Sequence, residues 1–171
     1  MSFSIAEITS QVLAPRHELS VSWLVWRRLL VELRRRGRGR HESGAFLLGR
    51  RSGPRSRIVD FVPYDDLDPH CLDTGIVRFD GTYFAQLWEI CQRRELTVVA
   101  DVHTHPTEGF QSSSDRDNPM IAQAGHVAFI VPDLAEGSPP RRRIGMYRYL
   151  GDRRWTVVPP EECSKFLHIG F

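Results

Sequence analysis

Apolar residues recur along the chain in two periods, and these periods predict its secondary structure. Apolar side chains spaced by three and four residues predict an amphipathic helix over about 21–36, for which Ser20 is the expected N-cap. A second helix is predicted over about 81–93, with Asp80 as its N-cap. The predicted apolar face of the first helix contains Trp23, Trp26, Leu30 and Leu33. That of the second contains Phe84, Leu87, Trp88 and Cys91.

Short runs of β-branched and aromatic residues between turn residues predict the strands. These runs lie near 4–8 and at 41–50, 57–62, 98–105, 126–131, 144–150 and 155–158. Turns at 52–55 and 151–152 join two pairs of them as hairpins. Residues 63–76 lack a regular pattern and are expected to form a long loop, a feature that is often functional in compact domains. The element order favours one α/β (α+β) domain over residues 1–171, in which a mixed β-sheet is covered by helices.

The composition is typical of a soluble globular domain, with 41% hydrophobic and 26% charged residues in a chain of 171 residues. Cys71, Cys91 and Cys163 are odd in number and far apart, so neither a disulfide framework nor a cysteine-rich zinc site is expected. No apolar run is long enough to cross a membrane, and the first residues lack the pattern of a signal peptide. We therefore expect a cytoplasmic protein without a membrane partner.

An arginine-rich segment, Arg34–Arg40, follows the first predicted helix. Its glycines end the helical period, and positive charge is favourable at a helix C-terminus, so we interpret it as a solvated helix end. Binding to an acidic partner is an alternative. Nucleic acid is not an expected partner, because no aromatic residues alternate with the arginines to stack on bases.

The candidate chemistry lies where the strand predicted from residue 98 ends at a proline. Side chains two residues apart on a strand point to the same face, so His103 and His105 are expected to project together. The following loop contains Asp115 and Asp117, and either carboxylate could complete a site of two histidines and one carboxylate. Three such ligands leave one position of a tetrahedral Zn²⁺ open, as in catalytic zinc sites.

Three elements of the sequence, in this order, resemble the motif of the JAMM (JAB1/MPN/Mov34) metalloproteases. They are Glu42, the segment His103-Thr-His105-Pro106, and the segment Ser112-Ser-Ser-Asp115. The run that begins at Glu42 is also similar to the family's glutamate, glycine, apolar run and glycine. The resemblance covers about residues 42–132 and points to the small stand-alone prokaryotic JAB-domain isopeptidases.

The Ser-x-x-Asp element of this motif fits the sequence in two registers. Ser112 with Asp115 makes the preceding loop one residue shorter than in many relatives, whereas Ser114 with Asp117 makes it one residue longer. We favour the first register, because the residues that follow Asp115 then match those of stand-alone bacterial members.

The resemblance implies an MPN/JAB fold with a cytidine-deaminase-like architecture, and a role for each motif residue. It assigns Zn²⁺ to His103, His105 and Asp115, and the bound metal would lower the pKa of a water towards about 7. It makes Glu42 the general base for that water. It makes Ser112 the hydrogen-bond donor to the developing oxyanion.

Other chemistries fit the sequence less well. Base deamination is not expected, because the chain has no Pro-Cys-x-x-Cys zinc loop. A thiol nucleophile at Cys71 beside His70 is a further alternative, although no orienting acid is evident nearby. A non-catalytic scaffold is disfavoured because every motif residue is present, and a nucleic-acid-binding module would rest on the arginine-rich segment alone.

The resemblance also implies a substrate class. Family members typically hydrolyse the bond after the C-terminal glycine of ubiquitin or a ubiquitin-like protein, either an isopeptide linkage or a peptide extension. Small prokaryotic members resemble enzymes encoded beside ubiquitin-like, E1-like and E2-like partners, including those of antiviral conjugation operons. A peptidase that processes a sulfur-carrier protein is the alternative. An extended substrate tail is expected to bind along a strand edge, with the loop at 63–76 as a candidate wall of the groove.

Overall fold

The structure, a computed structural model, describes residues 17–170. These residues form eight strands, four α-helices and several short 3-10 turns. The strands are β1 (Leu19–Ser22), β2 (Gly44–Ser52), β3 (Arg55–Pro63), β4 (Thr97–Thr104), β5 (Val127–Val131), β6 (Gly145–Gly151), β7 (Arg154–Val157) and β8 (Leu167–Gly170). The helices are α1 (Trp23–Arg36), α2 (Phe84–Arg94), α3 (Ser113–Asp117) and α4 (Cys163–Phe166).

The eight strands of this region pair into one mixed sheet, in the order β7-β6-β5-β4-β2-β3-β1-β8. β2 is antiparallel to both of its neighbours, β3 and β4, whereas β4 and β5 are parallel. The two predicted hairpins are β2–β3 and β6–β7. The predicted fold class, a mixed sheet covered by helices, is confirmed.

Each face of the sheet carries a hydrophobic core, and alternate side chains of β2 contribute to the two cores. Ala45 and Leu47 pack with the core under α1, while Phe46 and Leu48 pack with the core under α2. This central strand therefore has an uninterrupted apolar run, as expected for a strand that is buried on both faces. The helices complete the two cores with Trp26, Leu29, Leu30 and Leu33 from α1 and Leu87 and Cys91 from α2.

The first helix begins later than the sequence predicts. Ser20 is not its N-cap, because Ser20 and Val21 belong to β1, which pairs in parallel with β3 and β8. The N-cap is Ser22, whose hydroxyl accepts a hydrogen bond from Val25 N–H at 3.3 Å. At the second helix the predicted cap is correct, since Asp80 accepts from Thr82 N–H and caps a 3-10 turn that leads into α2.

Two tryptophans that the helical period places on apolar faces are half exposed. Trp23, the first residue of α1, has 52% of its surface exposed and lies under the guanidinium of Arg27. Trp88 has 48% exposed and stacks on Phe84. Both side chains therefore pack on a neighbouring side chain at the surface instead of filling the interior.

The arginine-rich segment is anchored within the chain at the C-terminal end of α1. Arg36 is largely buried, and its guanidinium lies 2.7 Å from both Asp65 and Asp66. Arg35 pairs with Glu32 at 2.7 Å on the same helix. The two ion pairs of Arg36 hold the end of α1 against the start of the long loop at 63–76.

The tail of the described chain also belongs to the sheet. There α4 leads into β8, which extends the sheet edge beyond β1. The sequence predicts no element in this tail, and the strand predicted near 4–8 lies outside the described residues. Within 17–170, no helix combines the length and the apolar composition that crossing a bilayer requires.

Candidate metal centre

The two histidines of the predicted site lie at the end of β4 and face each other. His103 is the penultimate residue of β4 and is paired with Gly44 of β2. His105 follows the strand, and its N–H donates to the Val131 carbonyl at 3.0 Å. The two Nε2 atoms are 3.1 Å apart. The strand geometry expected from the sequence therefore brings both imidazoles to one point.

The carboxylate of Asp115 completes a compact group of three donors with the histidines. Its two oxygens lie 3.5 Å from His103 Nε2 and 3.3 Å from His105 Nε2. One donor atom from each residue can be chosen so that all lie within 4.8 Å of one another, a spacing that can hold a metal ion. Asp117, the alternative carboxylate, is exposed and lies outside this group.

A capping box at the start of α3 orients Asp115. The Ser112 hydroxyl accepts a hydrogen bond from Asp115 N–H at 3.1 Å, and the Asp115 carboxylate accepts from Ser112 N–H at 2.7 Å. This reciprocal pair satisfies two amides at the helix start and fixes the carboxylate rotamer. Ser112 and Asp115 therefore act as one structural unit.

His103 and Asp115 shift each other's pKa in opposite directions. Burial acts to lower the pKa of His103, but hydrogen bonding to Asp115 and the charge of that carboxylate outweigh it, so the pKa lies above its ordinary value. Burial acts to raise the pKa of Asp115, but hydrogen bonds to His103 and His105 hold it well below its ordinary range. Asp115 is thus a carboxylate at neutral pH, the form that ligates metals.

Glu42 lies beside this group without belonging to it. Its Oε1 is 3.9 Å from His105 Nε2, and its Oε2 accepts a hydrogen bond from Val77 N–H at 3.2 Å. The next residue, Ser43, is anchored on both sides: its N–H donates to Thr104 Oγ1, and its hydroxyl donates to the Leu33 carbonyl. The start of β2 is therefore fixed against the His-Thr-His segment, which places the glutamate at the histidines.

A cavity of about 490 Å³ opens at the site. His103 and Asp115 lie in its wall, together with apolar side chains that include Val77, Phe79 and Trp155. The expectation that residues 63–76 form the wall needs correction, because the lining comes from the residues that follow this loop. Val77 both lines the cavity and donates to Glu42, so the cavity wall and the carboxylate are adjacent.

A buried polar network beneath the site was missed by the sequence reasoning. Asp101 accepts a hydrogen bond from the Tyr64 hydroxyl at 3.0 Å and lies 2.6 Å from His126 Nε2. All three residues are buried. Asp101 lies two positions before His103 on β4, so an acidic residue in an otherwise apolar strand was a signal that could have indicated it.

The thiol alternative does not fit the geometry. Cys71 is 1% exposed, and burial raises the pKa of its thiol to about 12. The neighbouring His70 is exposed and pairs with Asp73 at 2.9 Å. A buried thiol that stays protonated is a poor nucleophile.

The chain is similar to known proteins in sequence and in fold. The family model for prokaryotic homologs of the JAB domain matches residues 25–144. The chain is also similar to the probable metalloprotease y4jG of Sinorhizobium fredii, with 25% identity over 77 residues, which are 45% of this chain and 48% of that protein. The chain thus matches about half the length of that relative.

A solved structure shows the same fold. The solution structure of protein DSY2949 from Desulfitobacterium hafniense superposes with a TM-score of 0.61, covering 82% of this chain and 90% of that one at 17% identity. At this identity the likeness concerns the fold alone. The family model matches residues 25–144, which are most of the chain, and this match shows that the chain belongs to the prokaryotic JAB-domain family.

Proposed function

We propose that this protein is a zinc-dependent JAMM-type isopeptidase or peptidase, which hydrolyses the bond after the C-terminal glycine of a ubiquitin-like protein. The observation that carries the proposal is the convergence of His103, His105 and Asp115 beside Glu42, at a cavity whose wall includes His103 and Asp115. Two imidazole nitrogens and one carboxylate form a donor set that suits Zn²⁺ and leaves a position for substrate. Zinc held there would polarise the scissile carbonyl and make water a better nucleophile.

Glu42 has the geometry of a general base. Glu42 does not belong to the compact group of three donors. One of its oxygens is occupied by Val77 N–H, while the other lies 3.9 Å from His105 Nε2, where it can accept a hydrogen bond from a water held at the site. That oxygen takes the proton from the attacking water and returns it to the leaving amine. The hydrogen bond from Val77 keeps the carboxylate from rotating away from this position.

Ser112 is suited to donate to the oxyanion. Its hydroxyl oxygen accepts from Asp115 N–H, so its own proton is left for a further partner. A hydrogen bond from this hydroxyl to the substrate oxygen strengthens as negative charge develops there. The same capping box that orients the carboxylate therefore directs the hydroxyl.

The substrate class rests on the resemblance of the motif to JAMM deconjugating enzymes. The cavity adds that a tail bound along Val77 and Phe79 would bring its peptide bond to Glu42 and His103. E1-like and E2-like proteins are the partners we propose for conjugating the same ubiquitin-like protein.

The metal assignment is tested by elemental analysis of purified variants. We expect about one zinc per chain in the wild type and in His70→Ala, and little in His103→Ala or His105→Ala. Asp115→Ala and Asp117→Ala form a matched pair on one short helix, and only the first should lose metal. Full zinc in a His103→Ala/His105→Ala double variant would refute the site.

The activity is tested on fusions of candidate ubiquitin-like proteins to a reporter, with mass spectrometry of the products. We expect cleavage directly after the terminal glycine of at least one candidate, abolished by chelation and restored by zinc. Cleavage that persists in the chelated protein contradicts a metallopeptidase. Metal binding without cleavage of any glycine-terminated fusion contradicts the substrate class.

A further inference from the structure

The loop that carries Ser112 and Asp115 is fastened to the sheet by Tyr147, a residue with no role in the chemistry above. The Tyr147 hydroxyl donates to the Gly109 carbonyl at 2.9 Å and accepts from Gln111 N–H at 3.1 Å. Tyr147 belongs to β6 and is 5% exposed. One hydroxyl thus holds the main chain at two points immediately before the capping box.

Close backbone packing fits the loop to the same strand. A Cβ atom added to Gly109 would lie 2.5 Å from Gly145 N and 2.7 Å from the Arg143 carbonyl, both of them main-chain atoms that cannot move aside. A Cβ atom on Gly145 would likewise overlap the Gly109 carbonyl oxygen. The absence of side chains at both positions lets the loop lie against the start of β6, within reach of the tyrosine.

The carboxylate needs such an anchor. Asp115 lies on α3, a helix of five residues, and a helix that short has too few internal hydrogen bonds to be stable alone. The capping box fixes the side chain relative to its own turn but not relative to β4. At the other end of the turn, the Trp155 indole N–H of β7 donates to the Arg116 carbonyl at 3.1 Å. Contacts from the β6–β7 hairpin therefore hold the turn on both sides of Asp115.

We propose that Tyr147 is a positioning residue of the metal centre: its hydroxyl sets the path of residues 109–111 so that the capping box presents Asp115 to His103 and His105. The inference rests on the proposed metal site and goes beyond it. The tyrosine touches neither metal nor substrate and acts through the loop alone.

The strand supplies its own control. Tyr149 lies two residues further along β6, is also 5% exposed, and accepts one hydrogen bond from a main-chain amide, Arg153 N–H at 3.2 Å. That bond closes the turn of the β6–β7 hairpin and does not involve the loop. Tyr147→Phe and Tyr149→Phe each remove one buried hydroxyl and keep the ring, so a difference between them reports position and not loss of a hydroxyl in general.

The experiment measures zinc affinity by competition with a chromophoric chelator, and the visible spectrum of the Co²⁺-loaded protein. We expect Tyr147→Phe to bind zinc about tenfold more weakly, the lower end of the usual effect of outer-shell changes, and to shift the cobalt bands. Tyr149→Phe should match the wild type in both. Unchanged affinity and bands in Tyr147→Phe, or equal losses in both variants, would overturn the inference.

A third measurement needs no substitution. In hydrogen exchange of the wild type, the Gln111 amide should be protected relative to that of Phe110, a neighbouring residue that is 73% exposed. Rapid exchange at Gln111 shows that the clamp does not exist in solution and also overturns the inference. A wild type that binds no metal at all would instead refute the proposed function, so the two failures are distinguishable.

Discussion

Replacing Glu42 by Gln separates metal binding from catalysis. The side chain keeps its size, and the Val77 N–H that now donates to the carboxylate still needs an acceptor. Only the oxygen of the new amide can accept that bond, so the amide NH₂ is forced to face His105 and the water. The variant therefore presents a donor where the reaction needs an acceptor, without disturbing the fold.

The size of the effect follows from the group that is removed. Loss of a general base costs about 10²–10⁴-fold in rate, which corresponds to about 3–5 kcal/mol of transition-state stabilisation. The hydrogen bond from Val77 is retained, although its acceptor is now neutral, so the free energy of unfolding should change by no more than about 1 kcal/mol. Zinc content should stay at the wild-type level, because Glu42 does not belong to the group of three donors that can hold the metal.

The assay compares zinc content, thermal unfolding and single-turnover cleavage of a glycine-terminated fusion in wild type and variant. Full zinc, a near-native melting temperature and a rate at least a hundredfold lower are expected. A variant that keeps its zinc and cleaves at more than about a tenth of the wild-type rate contradicts the general-base role. Loss of zinc would show that Glu42 is a ligand or supports the ligands.

Two further predictions concern the thiols and the packing of β2. Cleavage should be abolished by chelation yet survive thiol alkylation, because burial raises the pKa of Cys71 to about 12; inhibition by alkylation at saturating zinc would contradict this. Gly44→Ala should cost about 1–3 kcal/mol in chemical denaturation, because the new methyl would overlap the fully buried Tyr64 ring and lie 2.7 Å from the Val102 carbonyl oxygen. Gly81→Ala is the matched control, with its nearest neighbour at 3.8 Å, and equal losses in both variants would refute the packing argument.

Much of the fold could be predicted from the sequence because its elements have strong local signals. These signals come from residues that are close in sequence: the apolar run of β2, the turn before β3 and the spacing of apolar residues in α1. Prediction from local sequence failed for the segments whose structure depends on pairing with distant strands. Ser20 has the features of an N-cap, but hydrogen bonds to β3 and β8 draw it into β1. The tail forms β8 only because β1 offers an unpaired edge, which no local pattern reveals.

The candidate site likewise combines features that local sequence predicts with features that only the tertiary fold decides. The histidine pair and the capping box of Ser112 and Asp115 are short-range features, and their local geometry follows from the spacing of a strand and of a helix start. The spacing does not show whether the histidine pair and the capping box come together in the fold, or which of the two aspartates reaches the histidines. The structure brings Asp115 to the histidines through contacts from β6 and β7, strands that come later in the chain than every motif residue.

The position of Glu42 depends on how two strands of the sheet pair. The glutamate and the histidines are far apart in sequence, and the register of β2 on β4, with Gly44 opposite His103, sets the distance between them. The pairing of β2 with β3 and its pairing with β4 each have a register shift beyond Leu47, whereas both pairings are regular at the end of β2 beside the site. A one-residue slip at that end would turn the side chains of β2 to the opposite faces and break both cores. The packing of Phe46 and Leu47 on opposite faces of the sheet therefore fixes the register, and the register in turn holds Glu42 at the histidines.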